Sequence, residues 1–274
     1  MPRLSLEERL SLLRGLGKKA SVYDYLPAIV SEFTELSGDR AYGDDPAVLG
    51  GIGMLEDTPV TVLAQARPRT VEELERTNCA MPHPEGYRKA LRLARQAEKF
   101  HRPVIAFIDT PGAFCGVGAE ERGQSEAIAR SLMAFMNLRT PVISVVLGEG
   151  GSGGALALGV CDELAMLENA VFSIISPRGF ASILWKDGSR EIEAARLMKI
   201  RAEEVRDFGI CDAIIPELGV IDTAERLKAY LLSTIARLSH IDIDALLQKR
   251  YQKFRSIGVF SDSGGGPSGT SPAP

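Results

Sequence analysis

The chain has 274 residues, ordinary hydrophobic and charged fractions of 45% and 25%, and a formal net charge of −4. It is long enough for one large α/β domain or two smaller ones with a sizeable buried core. The mild acidity argues against nucleic acid or an anionic membrane as the main partner, and no apolar run approaches the ~20 residues of a membrane span.

Residues 1–20 read as a charged, partly amphipathic lead-in. The opening Met1–Glu8 carries charges and no apolar h-region, so a secretory signal is not expected and a cytoplasmic location is. Leu26, Ile29, Val30 and Phe33 are spaced for a helix over Asp24–Leu36. A turn-rich stretch, residues 37–46, leads to a strand pair, Ala47–Leu55 and Pro59–Ala66, joined by Glu56-Asp57-Thr58. Pro59-Val60, Pro103-Val104-Ile105 and Pro141-Val142-Ile143 each open an apolar run, and proline is tolerated at a strand's first residue. Helical patterns at Glu85–Phe100, opened by Pro84, and at Glu120–Leu138 precede the second and third runs. Strand, loop and helix thus repeat, which implies right-handed crossovers and a mostly parallel sheet. Further strands are expected at Glu163–Leu167, Val171–Ile175 and Asp212–Ile215. Helices are expected near Gly179–Lys186, Ser189–Lys199, Ala202–Phe208, Thr223–Leu238 and Asp242–Phe254. Residues 21–256 show no internal linker and read as one domain; 257–274 are low-complexity and expected to be disordered.

Cys79, Cys115, Cys161 and Cys211 form no Cys-x-x-Cys pair, so reduced thiols, mostly packing residues, are expected. His83, His101 and His240 are too scattered for a metal cluster, and no metal is expected.

The most informative stretch is Gly148-Glu149-Gly150-Gly151-Ser152-Gly153-Gly154, between a strand pattern ending at Leu147 and a helix pattern at Ala155–Gly159. Bare backbone at a helix start favours an anion, through unpaired N–H donors and the helix dipole. Gly148-x-Gly150-x-x-Gly153 satisfies a dinucleotide pattern, but only about eight residues separate Gly153 from Asp162, too few for the usual crossover helix. A phosphate loop fails because Gly154-Ala155 stands where Lys-Ser/Thr is required. Asp109-Thr110-Pro111-Gly112 reads as a strand-end turn. Gly150-x-Ser152-x-Gly154 satisfies a nucleophile-elbow pattern, so a serine hydrolase using Ser152 is the alternative reading. It requires one of the histidines as base. The remaining reading is an oxyanion hole in which Gly153 and Gly154 N–H groups stabilise charge developing on a carbonyl oxygen. Glu149 is read as orienting the loop, Ser152 as a small capping residue, and Trp185 as a packing or interface residue.

Several long motifs resemble one family. They are Met81-Pro82-His83-Pro84-Glu85-Gly86-Tyr87-Arg88-Lys89-Ala90-Leu91-Arg92, Phe107-Ile108-Asp109-Thr110-Pro111-Gly112-Ala113 and Gly116-Val117-Gly118-Ala119-Glu120-Glu121-Arg122-Gly123-Gln124-Ser125. The glycine loop, Ala181-Ser182-Ile183-Leu184-Trp185-Lys186 and Ser37-Gly38-Asp39-Arg40-Ala41-Tyr42 complete the likeness over about residues 20–255. Together they resemble the carboxyltransferase α subunit of bacterial acetyl-CoA carboxylase. The resemblance implies a crotonase-like α/β fold, a spiral of ββα units with mostly parallel sheets and extra N- and C-terminal helices. It implies carboxyl transfer from N-carboxybiotin, held on a biotin carboxyl carrier protein, to acetyl-CoA, giving malonyl-CoA for fatty acid synthesis. It also implies a zinc-ribbon β subunit in an α2β2 assembly and, upstream, biotin carboxylase. By motif position Gly153 and Gly154 are the oxyanion donors, with Ala155 a further contributor, and Gly150, Gly151, Gly116, Val117 and Gly118 are the cofactor-facing positions.

The chain departs from the family pattern. Asn78-Cys79-Ala80 replaces Asn-Phe-Gly, and Ala64-Gln65-Ala66-Arg67-Pro68-Arg69 replaces Gly-His-Gln-Lys-Gly-Arg. Phe114-Cys115 replaces Tyr-Pro, and Arg178 replaces Glu. Glu120, Glu121 and Arg122 are candidates for a biotin-site wall or a plain helix cap. Tyr87, Arg88 and Lys89 are candidates for CoA phosphates, a partner surface, or a solvated helix face.

Overall fold

A computed structural model describes residues 4–258; all of the expected tail except Ile257 and Gly258 lies outside the described residues. Within the lead-in, Ser5 and Glu8 form a reciprocal capping box that starts α1 (Leu6–Arg14). Its leucines Leu6, Leu10 and Leu13 pack with Val171, Ala195 and Ile200. Ser21 and Asp24 cap α2 (Val22–Ile29) in the same way.

The helix expected over Asp24–Leu36 stops at Ile29, and β1 (Ser31–Glu35) follows. Helical spacing loses there to sheet formation, because β1 pairs antiparallel with β2 (Val48–Leu55), Thr34 opposite Ile52. β2 and β3 (Thr58–Gln65) make the expected hairpin, in register from Val48↔Gln65 to Leu55↔Thr58. Thr70 caps a short helix that spacing did not signal, α3 (Val71–Arg76), followed by a 3₁₀ turn, Asn78–Ala80. Helix α4 (Pro84–Lys99) buries Tyr87, Ala90, Leu91, Leu93 and Ala94, and β4 (Val104–Thr110) is wholly buried.

The single helix expected at Glu120–Leu138 is two, α5 (Val117–Glu121) and α6 (Gln124–Met136). Gly123 at φ 82 breaks them, a conformation that glycine adopts without Cβ strain. Then come β5 (Val142–Gly151), α7 (Ser152–Gly159), β6 (Glu163–Leu167), β7 (Val171–Ser173), α8 (Pro177–Trp185) and a 3₁₀ turn at Gly188–Arg190. They are followed by α9 (Glu191–Met198), α10 (Ala202–Asp207), β8 (Ala213–Ile215), α11 (Val220–Ser239) and α12 (Ile243–Arg255).

The sheet order is β1-β2-β3-β4-β5-β6-β8, with β7 paired to the far end of β5. Pairing is antiparallel from β1 to β3 and parallel thereafter. Thr61 stands opposite Val104 and Val104 opposite Val142, so the proline-opened runs lie side by side, the second and third in step and the first offset by one residue. Their carboxyl ends, where parallel α/β sheets place their sites, meet at the glycine stretch. Fully buried Arg250 anchors α12, pairing with Asp162 and donating to the carbonyls of Phe135, Leu138 and Thr140. Among the described residues no helix is long and apolar enough to cross a membrane.

Candidate active site

The glycine stretch is less a loop than the reading above expected. β5 continues through Gly151, well beyond Leu147. Beyond Val146 the ladder to β4 becomes irregular between Ile108 and Thr110, while Glu149, Gly150 and Gly151 pair with Val171, Phe172 and Ser173 of β7. Strand becomes helix in one step, Gly151 to Ser152, with Ser152 in the left-handed region at φ 54. The first-turn amides of α7 have no carbonyl inside the helix to bind beyond the cap.

The glycines are bare for different reasons. A Cβ at Gly148 would lie 2.4 Å from Asp109 Oδ1, at Gly150 2.3 Å from Phe172, and at Gly151 2.2 Å from the Pro111 carbonyl oxygen. At Gly154 it would lie 2.5 Å from the Ala113 nitrogen and 2.9 Å from the Tyr87 hydroxyl. Those four glycines permit close internal packing. Gly153 is different, since a Cβ there would meet only Ile128, at 3.8 Å. Neither packing nor a positive φ demands glycine at 153.

Two cavities flank the turn. One, of about 490 Å³, is bordered by Ser152, Gly153 and Leu156 and walled by Phe172, Phe180, Met198 and Phe208. The other, of about 370 Å³, is bordered by Glu149, Gly150 and Gly151 and carries Arg14, Arg178, Ser173, Ser176 and Glu191. Of the expected donors, Gly153 therefore borders a cavity, whereas Gly154 is buried against the Gly112–Ala113 turn. Ala155 is fully buried, its side chain in the main core. Gly116 caps α5, Gly118 is half-buried, and Val117 is 75% exposed. These three line neither cavity.

A partly buried ionic clamp holds the turn from behind. Arg67 Nε donates to Asp109 Oδ1 (2.7 Å), Nη2 to Glu149 Oε2 (2.8 Å), and Nη1 to the Leu13 carbonyl. Burial works against the Arg67 charge, but Asp109 and Glu149 outweigh it and hold its pKa above the ordinary value. Asp109 Oδ1 also accepts the Glu149 N–H (2.9 Å), where the strand ladder is broken. Gln65, fully buried, donates from Nε2 to the Gly154 carbonyl at 2.7 Å. The departure at Ala64–Arg69 reads from sequence as a loop able to touch substrate or the β subunit, whereas Gln65 and Arg67 bond internal partners 42 to 89 positions away along the chain.

The other candidates separate clearly. Tyr87 and Lys89 are fully buried, which overturns both the ligand-facing and solvated-face expectations for them. Lys89 Nζ donates to Asp44 (2.6 Å) and to the Asp45 carbonyl (2.9 Å). Arg88 pairs with Asp39 and Glu85, and Arg122 with Glu85. Glu120 and Glu121 are exposed. Trp185 packs edge-on against Phe180 and beneath the Arg190 guanidinium, 4.1 Å away.

Ser152 has the strained backbone of a nucleophile elbow but no histidine beside it. His83 stacks on Phe114 and faces Arg122. His101 lines a cavity with Pro59, Pro103 and Pro141 at the opposite end of the strands, and His240 follows Ser239 of that same lining. β5 alone puts roughly 30 Å between those ends. The serine-hydrolase alternative is not supported.

Among the departures, Cys79 and Cys115 are exposed, contrary to the packing role expected of most cysteines, while Cys161 and Cys211 are buried. Asn78, Cys79 and Ala80 are all left-handed, at φ 50, 59 and 61. Ala80 thus stands in a glycine-favouring conformation where the family pattern has glycine. Arg178 stands on the lining of the polar cavity.

Comparison with known proteins agrees with this geometry. A family model described as acetyl co-enzyme A carboxylase carboxyltransferase-like matches residues 3–258. The acetyl-coenzyme A carboxylase carboxyl transferase subunit alpha of Clostridium acetobutylicum is 52% identical over 262 residues, 93% of this chain and 95% of that protein. The subunit of the same name from Carboxydothermus hydrogenoformans is 50% identical, over 90% of this chain and 79% of its own. Among solved structures, transcarboxylase 12S aligns with a TM-score of 0.70 at 18% identity, over 88% of this chain and 47% of its own. A Pseudomonas malonate decarboxylase hetero-tetramer, in complex with coenzyme A, aligns with a TM-score of 0.68 at 20% identity, over 86% and 96%. These structures share the crotonase-like fold of this chain. On sequence and fold together, the chain belongs to the acetyl-CoA carboxylase carboxyltransferase family, as an α subunit.

Proposed function

We propose that the first turn of α7 is the anion-stabilising element of this carboxyltransferase, which moves a carboxyl group from N-carboxybiotin on a carrier protein to acetyl-CoA. Carboxybiotin, when bound, supplies the carboxyl group and a ureido oxygen on which negative charge develops. The observation that carries the reading is Gly153, bare beside an apolar cavity although nothing packs against it. Access to the adjacent amides is the reason that remains. A donor aimed at developing charge is worth about 3–4 kcal/mol of barrier, and the apolar walls raise its effect by excluding water. Gly153 and Gly154 are the proposed donors, while the Ala155 N–H, first in line for the Gly151 carbonyl inside α7, closes the turn behind them. Gly150 and Gly151 border the second cavity, where Arg178 offers positive charge to a CoA or biotin polar group beside the Arg14–Glu191 ion pair. Gly116, Val117 and Gly118 are proposed to face the carrier from the exposed α5. Glu149 is tied to Arg67 and performs no proton transfer in this scheme.

Leu156, Ile174 and Phe208 are exposed around the apolar cavity, with Ile183 and Leu184 on α8 nearby in sequence. Exposed apolar residues of this kind around a site support a protein partner. A zinc-ribbon β subunit completing the site in an α2β2 assembly, served by biotin carboxylase in the cytoplasm, is the proposed context. The test is malonyl-CoA-dependent carboxylation of biocytin by the purified chain, with and without a β subunit. Activity is expected only with both. A chain active alone, or a complex that never carboxylates biocytin, contradicts the reading.

A further inference from the structure

We infer that Gln65 and Arg67, at the carboxyl end of β3, are positioning residues that aim the amides of the glycine turn; the role rests on the carboxyltransferase reading above. Gln65 acts on the helix side. Its Nε2 donates to the Gly154 carbonyl at 2.7 Å from a fully buried side chain. That carbonyl shares a planar trans peptide with the Ala155 N–H, which points the opposite way. Holding the carbonyl therefore fixes the Gly154–Ala155 peptide, whose N–H closes the first turn on the Gly151 carbonyl, and with it the direction of the Gly153 and Gly154 amides inside that turn.

Arg67 acts on the strand side. Its guanidinium spans Asp109 and Glu149, and Asp109 in turn accepts the Glu149 N–H where the β4–β5 ladder is interrupted. The path of Glu149–Gly151 into the turn is thereby set by the side-chain clamp on the β4 side, where the ladder is interrupted, and by pairing with β7 on the other. Positions 65 and 67 are two apart, the spacing that puts extended residues on one face. One short segment thus grips both sides of the Gly151–Ser152 step. Neither residue lines either cavity at the turn, and Gln65 Oε1 is a buried acceptor with no hydrogen-bond partner. The Arg67 guanidinium is committed to two carboxylates and a carbonyl, and the Gln65 amide is sealed behind Gly154.

The test uses the full chain with its β subunit and the biocytin assay on Gln65→Met, Gln65→His and Arg67→Lys. For Gln65→Met, kcat is expected to fall about tenfold or more with KM for malonyl-CoA within about twofold, the pattern of an interaction felt in the transition state. Gln65→His, which retains an N–H donor, is expected to recover most of that loss. Arg67→Lys, a point charge in place of a fork, is expected to lower kcat about threefold to tenfold, again without raising KM. A second readout does not depend on turnover. Carbonyl-¹³C glycine with ¹⁵N alanine marks Gly154–Ala155 and only two other peptides, Gly112–Ala113 and Gly118–Ala119. In Gln65→Met the Gly154–Ala155 signal is expected to move while Gly118–Ala119 stays in place. Wild-type kcat in Gln65→Met and Arg67→Lys, losses shared equally by KM, or an unmoved Gly154–Ala155 signal would overturn the inference. An inactive wild-type complex would overturn the carboxyltransferase reading instead, with the labelled peptide still reporting on positioning.

Discussion

Glycine does two jobs in this site, and only the neighbours of each residue tell them apart. Gly148, Gly150, Gly151 and Gly154 let backbone and side chains approach to distances no Cβ tolerates. Gly154→Ala would force the Gly112–Ala113 turn away and is expected to destabilise the chain by about 1–3 kcal/mol, the usual cost of overpacking. Urea denaturation with an unchanged slope and a lower midpoint would show it; an unchanged midpoint would contradict the packing. The run of glycines was legible in the sequence, as was its place between strand and helix. Which glycine is free was not, because the deciding contacts come from Phe172, Pro111 and Ala113, far away along the chain. The same holds for Tyr87, buried with Ala127 of α6 and Ala157 of α7, and for Lys89, held by the loop at Asp44 and Asp45.

Elements were legible where a local pattern met no competing partner, as in the β2–β3 hairpin, α4 and β4. They were misread where a distant pairing intervened. Phe33 has helical spacing from Leu26 and Ile29, yet β1 adds to the sheet edge, and β5 runs on because β7 arrives to pair with its end. The loop over residues 37–46 shows how such segments are held. Asp39 Oδ1 accepts the N–H groups of Ala41, Tyr42 and Gly43, and Oδ2 pairs with Arg88 on α4. Burial alone would raise the Asp39 pKa, but these donors outweigh it and bring it down to about 2. A depressed carboxyl pKa contributes stability that is full above about pH 4 and lost as pH falls towards 2. The gap in thermal midpoint between wild type and Asp39→Asn should therefore be widest above pH 4 and close towards pH 2. A gap that does not change with pH would contradict the staple.

At the scale of the molecule, the spiral of strand–helix units brings several distant segments to one end of the sheet: the β3 end, the β4 turn, the β5–α7 step and the face around α8. Even the lead-in reaches the site, since Arg67 bonds the Leu13 carbonyl at the end of α1, and α1 packs against Val171 beside the turn. The long motifs made the family legible. The clamp was not, because Gln65 and Arg67 lie where this chain departs from the family pattern and act only through tertiary contacts. The central claim is that Gly153 is bare for access to the α7 amides. The direct measurement is kcat for biocytin carboxylation by Gly153→Ala in complex with the β subunit, alongside its thermal midpoint. The midpoint is expected to equal or exceed that of wild type, since alanine favours a helix and has room there, with kcat lowered about a hundredfold. A variant as active as wild type would contradict it.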